Sequence, residues 1–589
     1  MTHRRRLVAA SSVTLAALLL AGCSGGASEQ DGADGDPSGG TLRVASVGDV
    51  DALDPLIAYS TEAWQVIRAT TRQLVTYAGS TEGIGEDTEI VPDLAESWDV
   101  SDDGLDYTFH LREGVHFSGA TDREIVAADF VYAIKRFPDP NANVSAITYY
   151  NSLFEGFTDY ADQFAEVPIG DLDAVDEFID THDISGVTAV DDHTLRISLT
   201  RPSAELLDVL TLNFVSPLPQ EVVSKYFADS LEFRQDYASS GPYYIDSYTP
   251  DQKLVLTRVE GYDTEAVGDP RGAHVDAIEI DTTSDSADAV AQKIQTGEAD
   301  TGLYVRTYPA AVLQDFERTK PEQLHTSASG SAIFLSWNNS GEATTSGQEF
   351  LSSLEGRQAF NYTLDRAGLQ QGIGGEKAAI VSTEILTSTI LGYNGENPYP
   401  TDGDAGDVAR ATELLDASGA EDVSLALAYR TNAEYEKIAT AIQASAAEAG
   451  ITVSLVPVED SFGAINAFLS DPVKDDQWDL ALTTWSPDWQ GNSASMTLGG
   501  WLDSDVAPGG TWNGVTYDNP ELNALAAEAL AAEDPAEAWS EANRLASEDL
   551  AWFPLLERIK SVPSSDAVTN WVWTSLGNGP DLSSLAVRG

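Results

Sequence analysis

Cysteine, basic residues and long apolar runs are scarce in this sequence. Its 589 residues include one cysteine and 32 lysines plus arginines against 95 acidic residues, so the formal net charge is −63. One cysteine excludes internal disulfide bonds and cysteine-based zinc clusters. The shortage of positive charge argues against nucleic-acid binding, because phosphate contacts need a basic surface. Hydrophobic residues still make up 42% of the chain, which is enough for a large folded core.

Motifs for catalysis and for metal binding are missing or out of context. The G-x-S-x-G pattern at residues 22–26 has no strand before it and no helix after it, so it does not fit a nucleophile elbow. The seven histidines do not cluster, and a calcium-loop pattern that starts at Asp402 has Asp407 where glycine is required. We therefore predict that the protein is not an enzyme and holds no metal or cofactor.

The amino terminus has the pattern of a bacterial lipoprotein signal. Arg4–Arg6 precede an apolar run from Leu7 to Leu20, which is too short for an ordinary membrane-spanning helix. Leu20–Cys23 then matches the lipobox, and the only cysteine of the chain occupies its key position. We predict a signal peptide over 1–22, a lipid on Cys23 and a flexible linker over 23–40, which together anchor the protein to the outer face of the cell membrane. A plain secretory signal with an accidental cysteine is the alternative.

Short strands alternate with amphipathic helices from Thr41 onward. Residues 106–112 alternate as a half-buried strand does, and residues 478–485 are apolar enough for a buried strand. Thr121–Glu124 has the pattern of a capping box for a helix over Ile125–Arg136. Residues 432–449 predict a longer helix that ends at a glycine. The mixture predicts an α/β fold.

The segment Pro92–Arg136 resembles the signature stretch of the large peptide-type (family 5) solute-binding proteins of ABC importers. Further similar segments follow in the family's order, at residues 187–202, 240–262, 292–301, 356–369, 436–457 and 477–556. The resemblance covers roughly residues 41–560.

The resemblance implies a two-lobed clam of the periplasmic-binding-protein type II-like class with an extra third domain. Lobe I is then discontinuous, with segments 41–75, 220–305 and 551–589. The extra domain II covers 76–219, and lobe III covers 306–550. The strands that cross between lobes I and III form a hinge, and the lobes close over a ligand.

The resemblance also implies a function and partners. A lipid-anchored, monomeric extracellular receptor captures peptides in the cleft between the lobes and delivers them to the permease subunits of an ABC transporter in the membrane. Nucleic acid is not a partner.

A site for the ligand follows from one matched element. In peptide-binding members, a W-x-x-D element after a buried strand supplies a carboxylate to the α-ammonium of the peptide, and here Trp485 and Asp488 match it. The backbone at Thr484 and Ser486 is expected to pair with an extended peptide. Tyr59 lies in a segment that resembles the opposite wall in lobe I.

Three further residues are weaker candidates for ligand contact. Trp489 is a candidate for stacking, and Trp337 and Asn338 lie in a segment that resembles the cleft strand of lobe III. Leu482 stands where some oligopeptide-binding members have a basic residue near the carboxylate end of the peptide, so recognition of that end is left unassigned.

Two alternative functions are open at this point. The same receptor role could serve another solute, such as an oligosaccharide, a nickel chelate or an opine. A secreted hydrolase is the other alternative, and only the predicted location supports it.

Overall fold

A computed structural model describes residues 39–588, apart from 143, 304, 306, 340–342 and 503–516. The predicted signal peptide, Cys23 and nearly all of the predicted linker lie outside the described residues. Within the described ranges, no helix has both the length and the apolar character needed to cross a bilayer.

The first large sheet has five strands, and residues of its central strands alternate between core and surface. Their spatial order is Tyr243–Thr249, Lys253–Arg258, Ala277–Ser284, Thr41–Val47 and Thr301–Gly302. Thr41–Val47 runs parallel to both of its neighbours, while each of the first three strands is antiparallel to the strand next to it. Leu42 and Val44 are buried, and they pair in register with Ile278 and Ile280, which are buried as well.

The second large sheet has six strands and carries the element matched to the ligand site. Its order is Ala379–Val381, Phe553–Pro563, Leu324–Trp337, Leu480–Trp485, Ser424–Arg430 and Thr452–Val458. The last three strands are parallel to one another, and Leu324–Trp337 is antiparallel to both of its neighbours. The carboxyl ends of Leu480–Trp485 and Ser424–Arg430 therefore lie at the same edge of the sheet.

A third sheet is antiparallel and has four strands, in the order Ala95–Val100, Asp106–Leu111, Thr194–Ser198 and Val187–Asp191. The remaining strands form two-stranded pairs, which are Val75–Tyr77 with Ile90–Pro92, Ser118–Gly119 with Ala238–Ser239, Val568–Asn570 with Ala586–Val587, and Trp573–Thr574 with Gly579–Pro580. Buried apolar side chains of all three larger sheets, such as Leu42, Phe109 and Leu482, belong to one continuous core.

Helices pack around these sheets and connect their strands. The α-helices described are Thr61–Thr70, Ala127–Arg136, Phe157–Phe164, Leu172–Thr181, Leu206–Val209, Gln220–Val223, Leu231–Gln235, Ala287–Thr296, Ala310–Thr319, Ser346–Ser352, Leu354–Asn361, Arg366–Ile373, Val408–Ser418, Ala433–Glu448, Phe462–Leu469, Gly500–Leu502, Pro520–Ala531 and Ala536–Glu548.

The sequence predicted one helix start correctly and another incorrectly. The helix predicted over residues 432–449 spans Ala433–Glu448, and the side chain of Asn432 caps it by accepting from the amide of Tyr435. The capping box predicted at Thr121–Glu124 is wrong. The helix begins at Ala127, and Asp129 reaches back to accept from the amide of Val126 at 2.9 Å.

Most segments that were predicted to form one lobe also contribute to the same sheet. The five-stranded sheet uses residues of 41–75 and 220–305, and the four-stranded sheet lies within 76–219. Within 551–589, which was assigned to lobe I, the strand Phe553–Pro563 pairs with Leu324–Trp337 in the six-stranded sheet, whereas Asp581 forms an ion pair with Arg68 of the segment 41–75. The division into lobes stays a prediction.

Candidate ligand-binding site

A cavity of about 960 Å³ opens beside the carboxyl edge of the six-stranded sheet. That volume is near the upper end of the range for small-molecule sites in proteins. Five of the residues predicted for the ligand site line this cavity, namely Tyr59, Thr484, Trp485, Ser486 and Asp488. The structure therefore brings together residues that are more than 400 positions apart in the sequence.

The strand Leu480–Trp485 positions one wall of the cavity. Leu480, Ala481 and Leu482 are fully buried, which fixes the strand in the sheet. At its end, the hydroxyl of Thr484 donates to the carbonyl of Ala332 at 2.7 Å, and the hydroxyl oxygens of Ser486 and Ser331 lie 2.6 Å apart. The chain then leaves the sheet and carries Asp488 beyond its edge.

Asp488 accepts hydrogen bonds from two tyrosines. The phenol of Tyr59 donates to Oδ2 at 2.6 Å, and the phenol of Tyr149 donates to the same oxygen. The ring of Tyr59 stacks on Phe214 at 5.8 Å, and the ring of Tyr149 meets Trp489 edge to face at 5.6 Å. Aromatic packing therefore holds both phenols in place, Tyr59 against Phe214 and Tyr149 against Trp489, the residue that follows Asp488.

The electrostatics of this cluster favour a positively charged partner. Burial raises the pKa of Asp488, and the two phenol hydrogen bonds offset part of that rise. Burial and the nearby carboxylate also raise the pKa of Tyr59 and of Tyr149, so both phenols stay protonated and can donate. In the described part of the chain, no lysine, arginine or histidine forms an ion pair with Asp488.

Trp485 joins the cavity wall to the hydrophobic core. Its ring meets Trp501 edge to face at 5.6 Å, and Trp501 in turn packs on Phe334 and Trp552. Trp485 is 7% exposed. It thus anchors the end of the strand and presents a limited apolar surface to a bound molecule.

Comparison with known sequences gives the family. The model of bacterial extracellular solute-binding proteins, family 5 (middle region), matches residues 89–501, well over half of the chain. The chain belongs to this family. The predicted recognition of a peptide-type family 5 protein is thereby confirmed.

Individual relatives cover most of this family 5 chain. Heme-binding protein A of Haemophilus influenzae is 26% identical over 83% of this chain and 83% of its own length. The probable D,D-dipeptide-binding periplasmic protein DdpA of Escherichia coli is 24% identical over 91% of this chain and 92% of its own length. The solved structure of clavulanic acid biosynthesis oligopeptide binding protein 2 matches with a TM-score of 0.79 at 25% identity and covers 94% of this chain and 96% of that one. The predicted fold class, the large type II-like periplasmic-binding-protein architecture, is confirmed.

Three predicted contact residues of this family 5 protein do not line the cavity. The indole N–H of Trp337 donates to the carbonyl of Leu550 at 3.1 Å, and the side-chain amide of Asn338 donates to the carbonyl of Trp478 at 3.2 Å. Both side chains are buried in the sheet and support it. Trp489 donates to the carbonyl of Asn492 at 2.8 Å and packs on Tyr149, so it acts behind Asp488 and does not form the cavity wall.

Two features of the site were missed by the sequence analysis. Tyr149 ends a short 3₁₀ helix, Ser145–Tyr149, and nothing in its local sequence distinguishes it from other tyrosines. Arg430 is the last residue of a buried strand parallel to Leu480–Trp485, and it also lines the cavity. The tendency of ligands to bind at the carboxyl ends of parallel strands is a signal that could have found it.

Proposed function

We propose that this family 5 protein captures peptides that have a free amino terminus and delivers them to an ABC permease. The observation that carries the proposal is the carboxylate of Asp488 on the cavity wall, held by two phenol donors and without a basic partner among the described residues. Relatives named for dipeptide and oligopeptide binding support a peptide as the ligand.

An α-ammonium group matches the chemistry of this wall. Burying an ammonium ion without a partner is costly, so a peptide gains affinity only where a carboxylate receives its charge. A charge-assisted hydrogen bond of this kind is worth roughly 1.5–3 kcal/mol. The bound ammonium also restores the ionised form of Asp488, which burial disfavours in the empty site.

The backbone next to Asp488 suits a ligand whose side chains vary. The strand Ser424–Arg430 pairs with its neighbour only as far as Tyr429 opposite Leu482, and Thr484–Ser486 then line the cavity. An extended peptide can lie along this continuation of the ladder and form main-chain hydrogen bonds. Such bonds give affinity that does not depend on side-chain identity.

The proposed receptor is held at the cell surface by a lipid on Cys23. The lipobox match at Leu20–Cys23 and the Gly/Ser/Asp-rich linker over residues 24–40 support this part of the proposal. The acidic surface gives no attraction to anionic lipid, so the acyl chains supply the membrane affinity.

A ligand screen tests the proposal. The purified chain is melted with pools of short peptides, oligosaccharides, nickel chelates and heme, because a ligand that binds the folded state raises the melting temperature by mass action. We expect peptides alone to raise it, and chromatography of the mixture to recover them unchanged. Stabilisation by another pool but not by peptides would contradict the peptide assignment, and cleavage of the peptides would favour a hydrolase.

A further inference from the structure

Asn578 lines the ligand cavity from a segment in which the sequence predicted no ligand contact. It lies in the turn between the paired strands Trp573–Thr574 and Gly579–Pro580, and it is 8% exposed. Its φ of 43° is in the left-handed region, which asparagine tolerates better than most residues and which glycine adopts freely. Glycine would therefore fit the same turn, so the backbone does not require a side chain at this position.

A buried glutamine, Gln490, faces the Asn578 side chain. Its Nε2 donates to the carbonyl of Ser329 at 3.2 Å and to Oδ1 of Asn578 at 2.9 Å. A backbone carbonyl only accepts hydrogen bonds, so the amide atom of Gln490 that faces Ser329 must be the nitrogen. The hydroxyl of Thr389 donates to the other amide atom, Oε1, at 2.5 Å. The orientation of the Gln490 amide is therefore determined by its surroundings.

The orientation of Gln490 in turn determines which end of the Asn578 amide is left for a ligand. Because Nε2 of Gln490 is a donor, the atom of Asn578 that faces it must be the oxygen. The nitrogen Nδ2 then lies at the opposite end of the amide, and it donates to no group in the described ranges of the chain. Since Asn578 lines the cavity, this N–H₂ group is the part of the side chain that a bound molecule can reach.

Close packing holds the glutamine and the asparagine in place. Gly330 has a φ of 68°, and a Cβ at that position would collide with Oε1 of Gln490. The missing side chain at Gly330 therefore makes room for the glutamine amide. On the other side, the carbonyl of Gly577 accepts from Nε2 of Gln65 at 3.2 Å, which fixes the turn that carries Asn578.

The pair also lies close to the carboxylate that we propose as the partner of the amine. Gln490 follows Asp488 by two residues, so their Cα atoms are at most about 7 Å apart. In an extended peptide, the first two carbonyl groups lie within roughly the same distance of the amino nitrogen. A peptide whose amine contacts Asp488 can therefore bring a carbonyl oxygen within reach of Asn578.

We propose that the side-chain amide of Asn578 donates a hydrogen bond to one of the first two carbonyl oxygens of the bound peptide. This inference rests on the proposed peptide-binding function and adds a main-chain contact next to the amine. The carbonyl supplies the acceptor that Nδ2 lacks among the described residues. Because every peptide has these carbonyl groups, the contact distinguishes peptides from simple amines without selecting their side chains.

The test changes one atom of the ligand and one side chain of the protein. The ligand is the shortest alanine peptide, from a series of three to six residues, that binds the wild-type protein. Two analogues have sulfur in place of the first or the second carbonyl oxygen, because sulfur accepts hydrogen bonds more weakly. Calorimetry measures all three, and we expect one analogue to bind wild-type protein about three- to tenfold less tightly than the parent peptide.

Asn578→Gly removes the amide and keeps a residue that suits the left-handed backbone. We expect this variant to bind the parent peptide about three- to tenfold less tightly than wild type and to lose the difference between parent and analogue, since both changes remove the same contact. Its preference for a free over an acetylated amine should stay unchanged, because Asp488 is intact. Asp422→Gly is the matched control, since Asp422 is an exposed non-glycine residue with a φ of 53° and does not line the cavity.

The outcomes separate this contact from the proposed function. If the parent peptide binds the wild-type protein and both analogues bind equally well, the contact is absent, and this comparison needs no variant. Folded Asn578→Gly protein that binds the parent peptide as tightly as wild type, or that keeps the difference between parent and analogue, also overturns it. Melting of each ligand-free variant shows whether it folds. If no peptide of the series binds the wild-type protein, the proposed function fails, and the contact fails with it.

Discussion

The phenol oxygen of Tyr59 lies 2.6 Å from Oδ2 of Asp488, although 429 residues separate the two in the sequence. Tyr149, 339 residues away from Asp488, donates to the same oxygen. Two chain segments that are distant from Asp488 in the sequence therefore hold its carboxylate. This places an acidic group on the cavity wall in a fixed orientation, before any ligand is present.

Removing either phenol that donates to Asp488 should destabilise the protein more than removing a buried phenol that has no hydrogen-bond partner. We expect Tyr149→Phe and Tyr59→Phe each to destabilise the ligand-free protein by about 1–3 kcal/mol, because each removes a hydrogen bond to a carboxylate. Thermal melting at neutral pH measures the effect. Tyr160→Phe is the matched control, since the buried Tyr160 hydroxyl has no hydrogen-bond partner among the described residues. Equal melting temperatures for all three variants would contradict a structural role for the contacts.

Peptide affinity should depend on pH through Asp488. Burial raises the pKa of Asp488 above its usual value, and a bound ammonium lowers it again by favouring the ionised form. We therefore expect affinity to be highest at pH values above the pKa of Asp488 in the ligand-free protein and below that of the peptide's α-amino group, about 8, and to fall as pH decreases through the former. Near that pKa, binding should release a proton, which calorimetry in buffers of different ionisation enthalpy detects. Affinity that rises as pH decreases below about 7, where the amine is already protonated, would contradict the assignment.

Two other buried acids, Glu205 and Asp208, should make the stability of the protein depend on pH. Burial raises the pKa of Glu205 to about 8 and that of Asp208 to about 7. In the unfolded chain both groups ionise near pH 4, while in the folded protein they stay protonated up to these values. The free energy of unfolding should therefore decrease as pH rises from about 4 to about 8.

Glu205→Gln should weaken this pH dependence and stabilise the protein at pH 8 relative to wild type, by an amount on the order of a few kcal/mol. At pH 4 the two proteins should differ little, because Glu205 is then protonated in the folded state. Glu166→Gln, at an exposed position, is the control. Melting curves from pH 4 to pH 8 test this, and parallel curves for Glu205→Gln and wild type would count against it.

The proposed lipid anchor has its own test. Replacing Cys23 by serine removes the thiol that carries the lipid, so we expect the protein to move from the membrane fraction to the medium. Fractionation and immunoblotting measure the distribution, and Ser24→Ala, which keeps the cysteine, serves as the control. Retention of Cys23→Ser in the membrane would refute lipid anchoring.

Local structure was predictable where a short segment contains its own determinants. The strand Asp106–Leu111 buries Tyr107, Phe109 and Leu111, as its alternation predicted. The helix Val408–Ser418 begins after its cap Asp407 and ends at Gly419, whose positive φ of 69° suits glycine. The helix start near residue 125 was mispredicted, because the carboxylate of Glu124 accepts from the amide of Gly114 and Asp129 accepts from the amide of Val126 at the helix start instead.

The site was only partly predictable, because its geometry depends on pairing between distant segments. Asp488 and Trp485 could be found through one matched sequence element, and both line the cavity. Trp337 ends a strand next to that element and Asn338 follows it, but their side chains donate to backbone carbonyls in the interior. Tyr149 reaches Asp488 through tertiary packing, and Arg430 reaches the cavity through sheet register, so neither position follows from its own short segment of sequence.

The most direct test of the central claim measures how tightly one short peptide binds with its amino terminus free and with it acetylated. Calorimetry is performed on wild-type protein, on Asp488→Asn, and on Asp416→Asn as an exposed acidic control. We expect wild type and Asp416→Asn to bind the free peptide at least about tenfold more tightly than the acetylated one, and Asp488→Asn to lose most of that difference. Equal binding of the two peptides by wild-type protein would contradict the account.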